Sequence, residues 1–182
     1  MRLRIIAGRA KGRRLRAPAG FDTRPMMDRV REAVFSSLGS AVEGAAVLDL
    51  YAGSGSLGLE ALSRGAASAV FVERGREALA ALRANVAAVG LGGRVAAAPV
   101  DAFLERDAGA YDLVFVDPPY TRSLASVETT LGLVAARLAG GAIVVLHRRA
   151  GEGEPLLPPG LAVADRRRYG DAEITRLTKE DA

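Results

Sequence analysis

The sequence contains no cysteine and only one histidine, His147, in 182 residues. The absence of cysteine excludes disulfide bonds and cysteine-based metal sites, and a lone histidine cannot build a zinc site, so we expect no bound metal. No apolar run approaches the ~18 residues that a membrane helix needs, and the charged N-terminal region is unlike a signal peptide. These absences favour a cytoplasmic protein whose length is most simply that of one domain.

Acidic residues are scarce at the start of the chain. Residues 1–31 carry ten basic side chains against Asp22 and Asp28, a net charge of +8, and because the whole chain carries +4, residues 32–182 carry −4. A basic head on an acidic body indicates a polyanionic partner. The alternative, a solvated basic face in an arginine-rich chain, stays open at this point.

The basic head has a simple predicted structure. The segments Leu3–Ala7 and Arg13–Ala17 flank a glycine-containing turn and predict a short basic β-hairpin. Thr23-Arg24-Pro25 is a helix-start signal, and a helical apolar pattern follows it. We therefore expect residues 1–40 to form a hairpin and a helix that precede a larger domain at residues 41–182.

The most informative stretch lies at residues 47–60 and reads VLDLYAGSGSLGLE. Its apolar start predicts a buried strand that ends at Asp49, and a helix is predicted to open after the glycine turn. Gly53, Gly55 and Gly58 fit the G-x-G-x-x-G spacing, in which a tight turn brings backbone close to a ligand at a helix N-terminus. On its own this pattern is equally typical of a plain tight turn.

Two carboxylates narrow the choice of ligand. A second apolar run ends in Glu73, about twenty residues after the first glycine, where such folds place the acid that binds a ribose. Asp49 beside the turn would repel the pyrophosphate of NAD, whereas it suits a ligand with positive charge. S-adenosylmethionine carries an ammonium and a sulfonium and no phosphate. The chain also lacks the G-x-x-x-x-G-K-[ST] pattern of a triphosphate loop.

From residue 45 the chain alternates strands and helices, which predicts a parallel sheet with helices on both faces. The predicted strands are 45–50, 69–73, 94–98, 112–116 and 142–147, and the predicted helices are 56–64, 75–89, 101–106 and 124–138. The segments Leu161–Tyr169 and Glu173–Thr178 flank Gly170-Asp171 and predict an antiparallel hairpin that closes the sheet.

Acidic residues follow four of these predicted strands, namely Asp49, Glu73, Asp101 and Asp117. Ligands in such sheets bind beyond the carboxyl ends of the strands, so we expect all four carboxylates to face one crevice. His147 is interpreted as a strand-end residue without an assigned role, and the run 166–168 as exposed charge on an edge strand.

The sequence Asp117-Pro118-Pro119-Tyr120 follows an apolar strand directly. Two prolines prevent a helix there and hold the backbone extended. Their carbonyls come without N–H groups, so the loop is rich in hydrogen-bond acceptors. Acceptors beside an aromatic ring suit a planar group with an exposed NH2, on which the ring would stack. A rigid turn with an incidental tyrosine is the alternative for this motif alone.

These motifs together resemble a known family. Asp49-Leu50-Tyr51-Ala52-Gly53-Ser54-Gly55 with Asp117-Pro118-Pro119-Tyr120 is similar to the S-adenosylmethionine-dependent amino-methyltransferases. The segments 4–8, 23–25 and 28–35 resemble one branch of them, the bacterial 16S ribosomal RNA guanine-N2 methyltransferases, over nearly the full length. Met26 and Met27, and the strand end at 147–149, depart from the pattern expected of that branch.

The resemblance implies a Rossmann-like class I methyltransferase fold, with a mostly parallel seven-stranded sheet and a C-terminal antiparallel hairpin. It also implies transfer of a methyl group from S-adenosylmethionine to the N2 amine of a guanine in small-subunit ribosomal RNA, and we expect the protein to act as a monomer. The implied contacts to the methyl donor are Asp49, Tyr51, Ala52, Gly53, Ser54, Gly55, Glu73, Arg74, Asp101 and Ala102. The implied catalytic residues are Asp117, Pro118, Pro119 and Tyr120, and the implied contacts to RNA are Arg9, Lys11, Arg13, Arg14, Arg24, Arg29 and Arg31.

Other functions fit parts of the same pattern. The Asp117–Tyr120 loop would serve the N6 amine of adenine in DNA equally well, although 182 residues leave little chain for reading a base sequence. A catalytically silent RNA-binding module is disfavoured by the intact loop and the complete glycine turn. A dehydrogenase is disfavoured by Asp49.

Overall fold

A computed structural model describes residues 3–18 and 25–180, and it contains one seven-stranded sheet with helices on both faces. The strands are β1 Ala46–Leu50, β2 Ser68–Glu73, β3 Arg94–Ala97, β4 Tyr111–Val116, β5 Leu138–Arg149, β6 Leu161–Tyr169 and β7 Ala172–Lys179. The helices are α1 Pro25–Leu38, α2 Ser56–Ser63, α3 Arg76–Val89, α4 Val100–Arg106 and α5 Leu124–Ala135, and a short 3-10 helix occupies Gly39–Val42. The predicted Thr23-Arg24 helix start lies outside the described residues.

The strand order is β3-β2-β1-β4-β5-β7-β6. The first five strands in this order pair in parallel, while β7 pairs antiparallel with both β5 and β6. The predicted fold class is therefore confirmed. Because Leu50 is level with both Val72 and Val116, the carboxyl ends of β1, β2 and β4 meet at one edge of the sheet.

A hydrophobic layer covers each face of the sheet. On one face α1, α2 and α3 bury the rings of Phe35, Phe71 and Phe115. On the other face α4 and α5 bury side chains such as Leu104 and Leu131. Each of these large side chains contributes about 1.5–3 kcal/mol when fully buried. Both layers leave the carboxyl edge of the sheet as the place where polar side chains collect.

The basic N-terminal segment is packed against this body. The two predicted strands pair as a short hairpin: the Leu15 N–H donates to the Leu3 carbonyl at 2.8 Å and the Ile5 N–H to the Arg13 carbonyl at 2.9 Å, and an antiparallel bridge joins Arg4 to Arg14. The side chain of Glu60 in α2 explains the docking, because its two oxygens accept the Ile6 and Ala7 N–H groups at 2.7 and 3.0 Å. Ile5 enters the same hydrophobic layer as α2.

One of the two residues predicted near strand ends lies further inside its strand than expected. Asp49 is the fourth of the five residues of β1 and lies level with Phe71 and Phe115, one residue before the strand end, in agreement with the predicted strand 45–50. His147 lies within β5, which continues to Arg149 because β7 pairs with it up to that residue. Sequence alone did not reveal that extra pairing.

Candidate active site

The glycine turn connects β1 to α2 at the carboxyl edge of the sheet. Tyr51 adopts φ +58° and is the single non-glycine residue with positive φ among the described residues, which marks a constrained backbone. Gly53 follows with φ +55°, and a Cβ there would meet only the Tyr51 carbonyl oxygen at 3.9 Å. By contrast, a Cβ on Gly58 would lie 2.4 Å from Phe71, so this glycine lets α2 pack closely on the sheet.

The other predicted residues of the turn are held by hydrogen bonds to their main-chain groups. The Gly55 N–H donates to the Ala52 carbonyl at 2.7 Å, and the Ala52 N–H donates to the Val72 carbonyl at 3.0 Å. The Ser54 carbonyl accepts a hydrogen bond from the Asn85 side chain at 2.9 Å. The turn is therefore fixed from both β2 and α3 before any ligand arrives.

Asp49 is a buried carboxylate at this turn, with 1% of its surface exposed. Its Oδ2 accepts the Gly58 N–H at 2.9 Å. Burial raises the pKa of Asp49 well above its ordinary value; the Gly58 hydrogen bond opposes this rise, and the carboxylates of Asp117 and Glu73 add to it. A nearby positive charge would relieve this unfavourable burial.

Glu73 ends β2 and joins two loops. Its Oε2 accepts the Gly53 N–H at 2.9 Å, and its Oε1 accepts the N–H groups of Arg74 and Gly75, both at 2.7 Å. A carboxylate offers about four acceptor positions, so three are filled and about one remains for a ligand hydroxyl. Arg74 itself has an exposed side chain.

Asp101 lies in the first turn of α4, beside Ala102. Its Oδ1 accepts the Thr130 hydroxyl at 2.6 Å, and its Oδ2 accepts the Arg122 guanidinium at 3.0 Å. The Arg122 guanidinium also lies 5.3 Å from the centre of the Tyr51 ring. The carboxylate thus reaches the predicted crevice, but it is tied to the loop that follows Tyr120.

The loop from Asp117 to Tyr120 leaves the carboxyl end of β4, next to the glycine turn on β1. Pro118 is buried and Pro119 is exposed, while Tyr120 has 41% of its surface exposed. The Arg149 guanidinium lies 5.4 Å from the centre of the Tyr120 ring. The expected acceptors and the aromatic ring therefore stand beside the expected donor site.

His147 is the residue that sequence reasoning left without a role. Its Nδ1 lies 2.7 Å from Asp117 Oδ1, and its Nε2 lies 3.3 Å from the Tyr120 hydroxyl. Burial lowers the pKa of His147, but the hydrogen bond and the charge of Asp117 outweigh it, so that the pKa is raised overall. The departure of residues 147–149 from the pattern expected of the family branch was the sequence signal that could have drawn attention to this position.

Some of the side chains predicted to contact RNA are exposed to solvent, and others are exposed but already donate a hydrogen bond within the protein. Lys11, Arg14 and Arg29 are exposed. The exposed Arg9 and Arg13 each donate one hydrogen bond to a main-chain carbonyl, of Leu62 at 3.3 Å and Ala88 at 2.6 Å respectively.

Arg31 is placed differently from its prediction. It is 4% exposed, and its guanidinium binds Asp28 at 3.1 Å and the Arg4 carbonyl. Burial lowers the pKa of Arg31, and the nearby acids Asp28 and Glu60 oppose that shift. Its burial does not fit a phosphate contact, because the side chain joins α1 to the N-terminal segment. Arg24 lies outside the described residues.

Two further properties concern the described part of the chain. Within residues 3–18 and 25–180, no group of three or more His, Cys, Asp or Glu side chains could hold a metal ion. No helix in those ranges is both long and apolar enough to cross a membrane.

Sequence comparison identifies the family. Residues 3–178 match the family model described as conserved hypothetical protein 95. Ribosomal RNA small subunit methyltransferase D of Escherichia coli is 39% identical over 159 residues, which cover 86% of this chain and 79% of that protein. The chain belongs to this family of ribosomal RNA methyltransferases. A putative rRNA methyltransferase of Bacillus subtilis, YlbH, is 36% identical over 154 residues, covering 81% of this chain and 83% of that protein.

Solved structures agree with this family and with the fold. The putative methyltransferase YhhF from Escherichia coli has a TM-score of 0.87 at 34% identity and covers 100% of both chains. A putative methyltransferase, SMU.776, complexed with SAH, has a TM-score of 0.66 at 16% identity, covering 82% of this chain and 48% of that one. At that identity the likeness shows the class I methyltransferase fold alone.

Proposed function

We propose that this member of the family transfers a methyl group from S-adenosylmethionine to the exocyclic N2 amine of a guanine in 16S ribosomal RNA. The observation that carries the proposal is the adjacency of two loops on neighbouring strands. The glycine turn follows β1, the Asp117–Tyr120 loop follows β4, and Leu50 is level with Val116. A methyl donor held by the first loop would face an amine held by the second.

The residues at the first loop fit S-adenosylmethionine. Asp49 and Glu73 form no ion pair with a basic side chain in the described ranges, and each other carboxylate that acts on Asp49 raises its pKa further. A cationic ligand would compensate this charge. Bound there, the sulfonium supplies an electrophilic methyl group, while Glu73 retains acceptor capacity for a ribose hydroxyl. The SAH complex of SMU.776 supports this choice by its fold.

The second loop fits an exocyclic amine. The lone pair of a guanine amine is delocalised into the ring, so the amine is a poor nucleophile. If Asp117 and the Pro118 carbonyl each accept one of its hydrogens, the lone pair is directed towards the methyl donor. Alignment of this kind can supply several of the about 7–11 kcal/mol available from proximity and orientation. The Tyr120 ring would stack on the base once it is flipped out of its helix.

The RNA would lie along the basic N-terminal segment. Lys11, Arg14 and Arg29 present exposed charges, and the E. coli and B. subtilis relatives are named as rRNA methyltransferases. We therefore assign residues 1–40 to RNA binding and residues 41–182 to methyl transfer. In this proposal the protein acts as a cytoplasmic monomer, and its substrate is the small ribosomal subunit or the RNA of that subunit. The choice of guanine N2 rests on the family resemblance of the Asp117–Tyr120 loop and the N-terminal motifs.

The proposal is tested by incubating the protein with labelled S-adenosylmethionine and, in parallel, small ribosomal subunits, naked ribosomal RNA and DNA. Digestion to nucleosides then identifies the methylated base. We expect N2-methylguanosine from RNA in either the subunit or the naked arm. The Asp117→Ala variant serves as the inactive control, and Asp171→Asn, in the exposed β6–β7 turn, as the matched active control.

Each other outcome has a clear meaning. N6-methyladenine from the DNA arm would replace the proposal with adenine methylation. RNA binding without methyl transfer, together with no calorimetric binding of S-adenosylmethionine, would show a silent RNA-binding module. A methylated RNA base other than guanine would contradict the N2 assignment while retaining the methyltransferase.

A further inference from the structure

One imidazole connects the two functional residues at opposite ends of the Asp117–Tyr120 loop. His147 Nδ1 lies 2.7 Å from Asp117 Oδ1, and Nε2 lies 3.3 Å from the Tyr120 hydroxyl. The Tyr120 and His147 rings meet edge to face, with centres 5.8 Å apart and planes at 75°. The parallel register explains the placement, because Val116 is level with Leu146 and the next residues along the chain are Asp117 and His147.

The hydrogen-bond chemistry restricts how His147 carries its protons. An ionised carboxylate only accepts, so Nδ1 must carry the hydrogen that it donates to Asp117. In the neutral ring Nε2 then accepts the Tyr120 hydroxyl hydrogen, and in the imidazolium Nε2 donates to the same oxygen. Both hydrogen bonds survive in both states. What changes between the states is the charge placed beside the Asp117 carboxylate.

We propose that His147 is a positioning residue that fixes the Asp117 carboxylate and the Tyr120 ring for the acceptor base, and that methyl transfer is faster when its imidazole is neutral. This inference rests on the proposed function. As the amine attacks the methyl group, positive charge develops on its nitrogen. A neutral His147 leaves the full negative charge of Asp117 to stabilise that nitrogen, whereas an imidazolium would oppose it.

The groups around His147 determine the pH at which its imidazole changes charge. Asp117 faces it from the β4 side, and its hydrogen bond and charge overcome the opposing effect of burial, so the pKa of His147 lies above its ordinary value. On its own strand Arg149 lies over the Tyr120 ring. The residue of β7 that pairs with His147 is Ile174, which carries no charge. Because an unperturbed histidine titrates near pH ~6.5, the change of charge is expected above that value.

The first test needs no substrate. His147 is the only histidine in the chain, so ¹⁵N signals from its imidazole are assigned without ambiguity, and a pH titration reports both its pKa and its tautomer. We expect a pKa above the ordinary value, with the neutral ring protonated on Nδ1. In Asp117→Asn the pKa should fall, whereas in the matched control Asp165→Asn, whose carboxylate pairs with Arg167 on β6, it should not change. A His147 pKa at the ordinary value that does not change in Asp117→Asn would overturn the proposal.

The second test separates positioning from a merely structural role. An asparagine at position 147 can place its amide N–H near the Nδ1 position, whereas a longer glutamine reaches the Nε2 position and no longer binds Asp117. In single-turnover methyl transfer we expect His147→Asn to keep most activity and to show no rise in rate with pH. We expect His147→Gln to fall about tenfold and His147→Leu up to about 100-fold, the scale of a small misplacement of a reacting group.

The outcomes are distinct. A His147→Leu protein that transfers methyl at the wild-type rate, with the wild-type pH profile, would overturn the positioning role. A wild-type protein that methylates no RNA would instead overturn the proposed function, and the titration would still show whether His147 and Asp117 pair. Rescue by asparagine but not by glutamine would support the hydrogen bond to Asp117 as the one that matters.

Discussion

Arg122 Nη2 lies 3.0 Å from Asp101 Oδ2, so a carboxylate expected to contact the methyl donor is tied to the loop that follows Tyr120. The other Asp101 oxygen accepts the Thr130 hydroxyl at 2.6 Å. A ligand that forms a hydrogen bond to Asp101 must share the carboxylate with Arg122 or displace the Arg122 guanidinium. Binding of the methyl donor and the position of the acceptor loop are therefore expected to be coupled, and such coupling is reciprocal.

Replacing Arg122 by methionine tests this coupling. The change frees Asp101, so we expect the affinity for S-adenosylmethionine to rise by up to about fivefold, corresponding to the 0.2–1 kcal/mol of a partly exposed ion pair. Methyl transfer to RNA should fall, because the loop loses an anchor. Calorimetry measures the affinity, with Arg83→Met on the exposed side of α3 as the control. Weaker donor binding in Arg122→Met would mean that Arg122 itself contacts the donor.

Asp49→Asn should stabilise the ligand-free protein at neutral pH. Burial holds the pKa of Asp49 well above its ordinary value, so between the ordinary and the raised pKa the folded state binds more protons than the unfolded state. The free energy of unfolding therefore falls as pH rises through that window. Asparagine keeps an oxygen for the Gly58 N–H and has no charge to bury, so its advantage should be greatest at neutral pH and should shrink in acid.

Urea denaturation from about pH 4 to about pH 8, a range that spans the expected titration, measures this difference. Asp112→Asn is the matched control, because Asp112 also accepts one backbone N–H, from Ala46 at 2.8 Å, but is exposed. It should change stability little at any pH. Affinity for S-adenosylmethionine should drop in Asp49→Asn by about 1–3 kcal/mol, the scale of a hydrogen bond to a charged group. A destabilised Asp49→Asn protein at neutral pH would show that the carboxylate is a structural requirement.

The sequence predicted most of the fold because its signals were local. Apolar runs followed by an acid or a glycine placed β1, β2 and β4 within one or two residues, and the turn at Gly170-Asp171 placed both strands of the last hairpin. The extent of β5 was underestimated at both ends. Residue 138 was predicted as the end of a helix, but Leu138 pairs with Tyr111 of β4, and the far end of β5 pairs with β7, which follows much later in the chain. The pairing of distant segments has no local signature.

The site was predicted in part for the same reason. Glu73 and Asp117 were correctly predicted to lie at one edge of the sheet, because each closes or follows an apolar strand. The partner of Asp117, His147, was missed because their hydrogen bond depends on the register between β4 and β5. Arg31 was taken for a surface charge because composition does not distinguish an exposed arginine from one that joins two buried elements.

Docking of the N-terminal segment is tested by a pair of glycine variants. Gly8 and Gly12 have nearly equal φ angles, +81° and +83°, but a Cβ on Gly8 would lie 1.9 Å from the Ser63 carbonyl oxygen, whereas one on Gly12 meets nothing within 4 Å. We expect Gly12→Ala to cost about 1–2 kcal/mol for the left-handed backbone and Gly8→Ala distinctly more. RNA affinity should fall in Gly8→Ala only. Equal behaviour of the two variants in thermal unfolding and RNA binding would contradict tight docking on α2.

The exposed charges of the same segment are tested separately. Lys11→Glu with Arg14→Glu should weaken RNA binding without reducing stability, because both side chains are exposed. The slope of log affinity against log salt should flatten by about 0.7–0.9 for each phosphate that the protein no longer neutralises. Affinity for S-adenosylmethionine should not change. An RNA affinity that changes neither with these mutations nor with salt concentration would show that the basic segment is a solvated surface and does not contact RNA.

The central claim is that Asp117 orients an exocyclic amine for methyl transfer, and single-turnover kinetics with both substrates saturating test it most directly. Asp117→Ala should reduce the rate about 10²–10³-fold, as expected for the loss of one preorganised electrostatic partner, while binding of S-adenosylmethionine stays nearly unchanged. Asp117→Asn should retain more activity, because its carbonyl oxygen still accepts one hydrogen bond. Methyl transfer by Asp117→Ala at the wild-type rate would contradict the account and leave the Asp117–Tyr120 loop with a structural role.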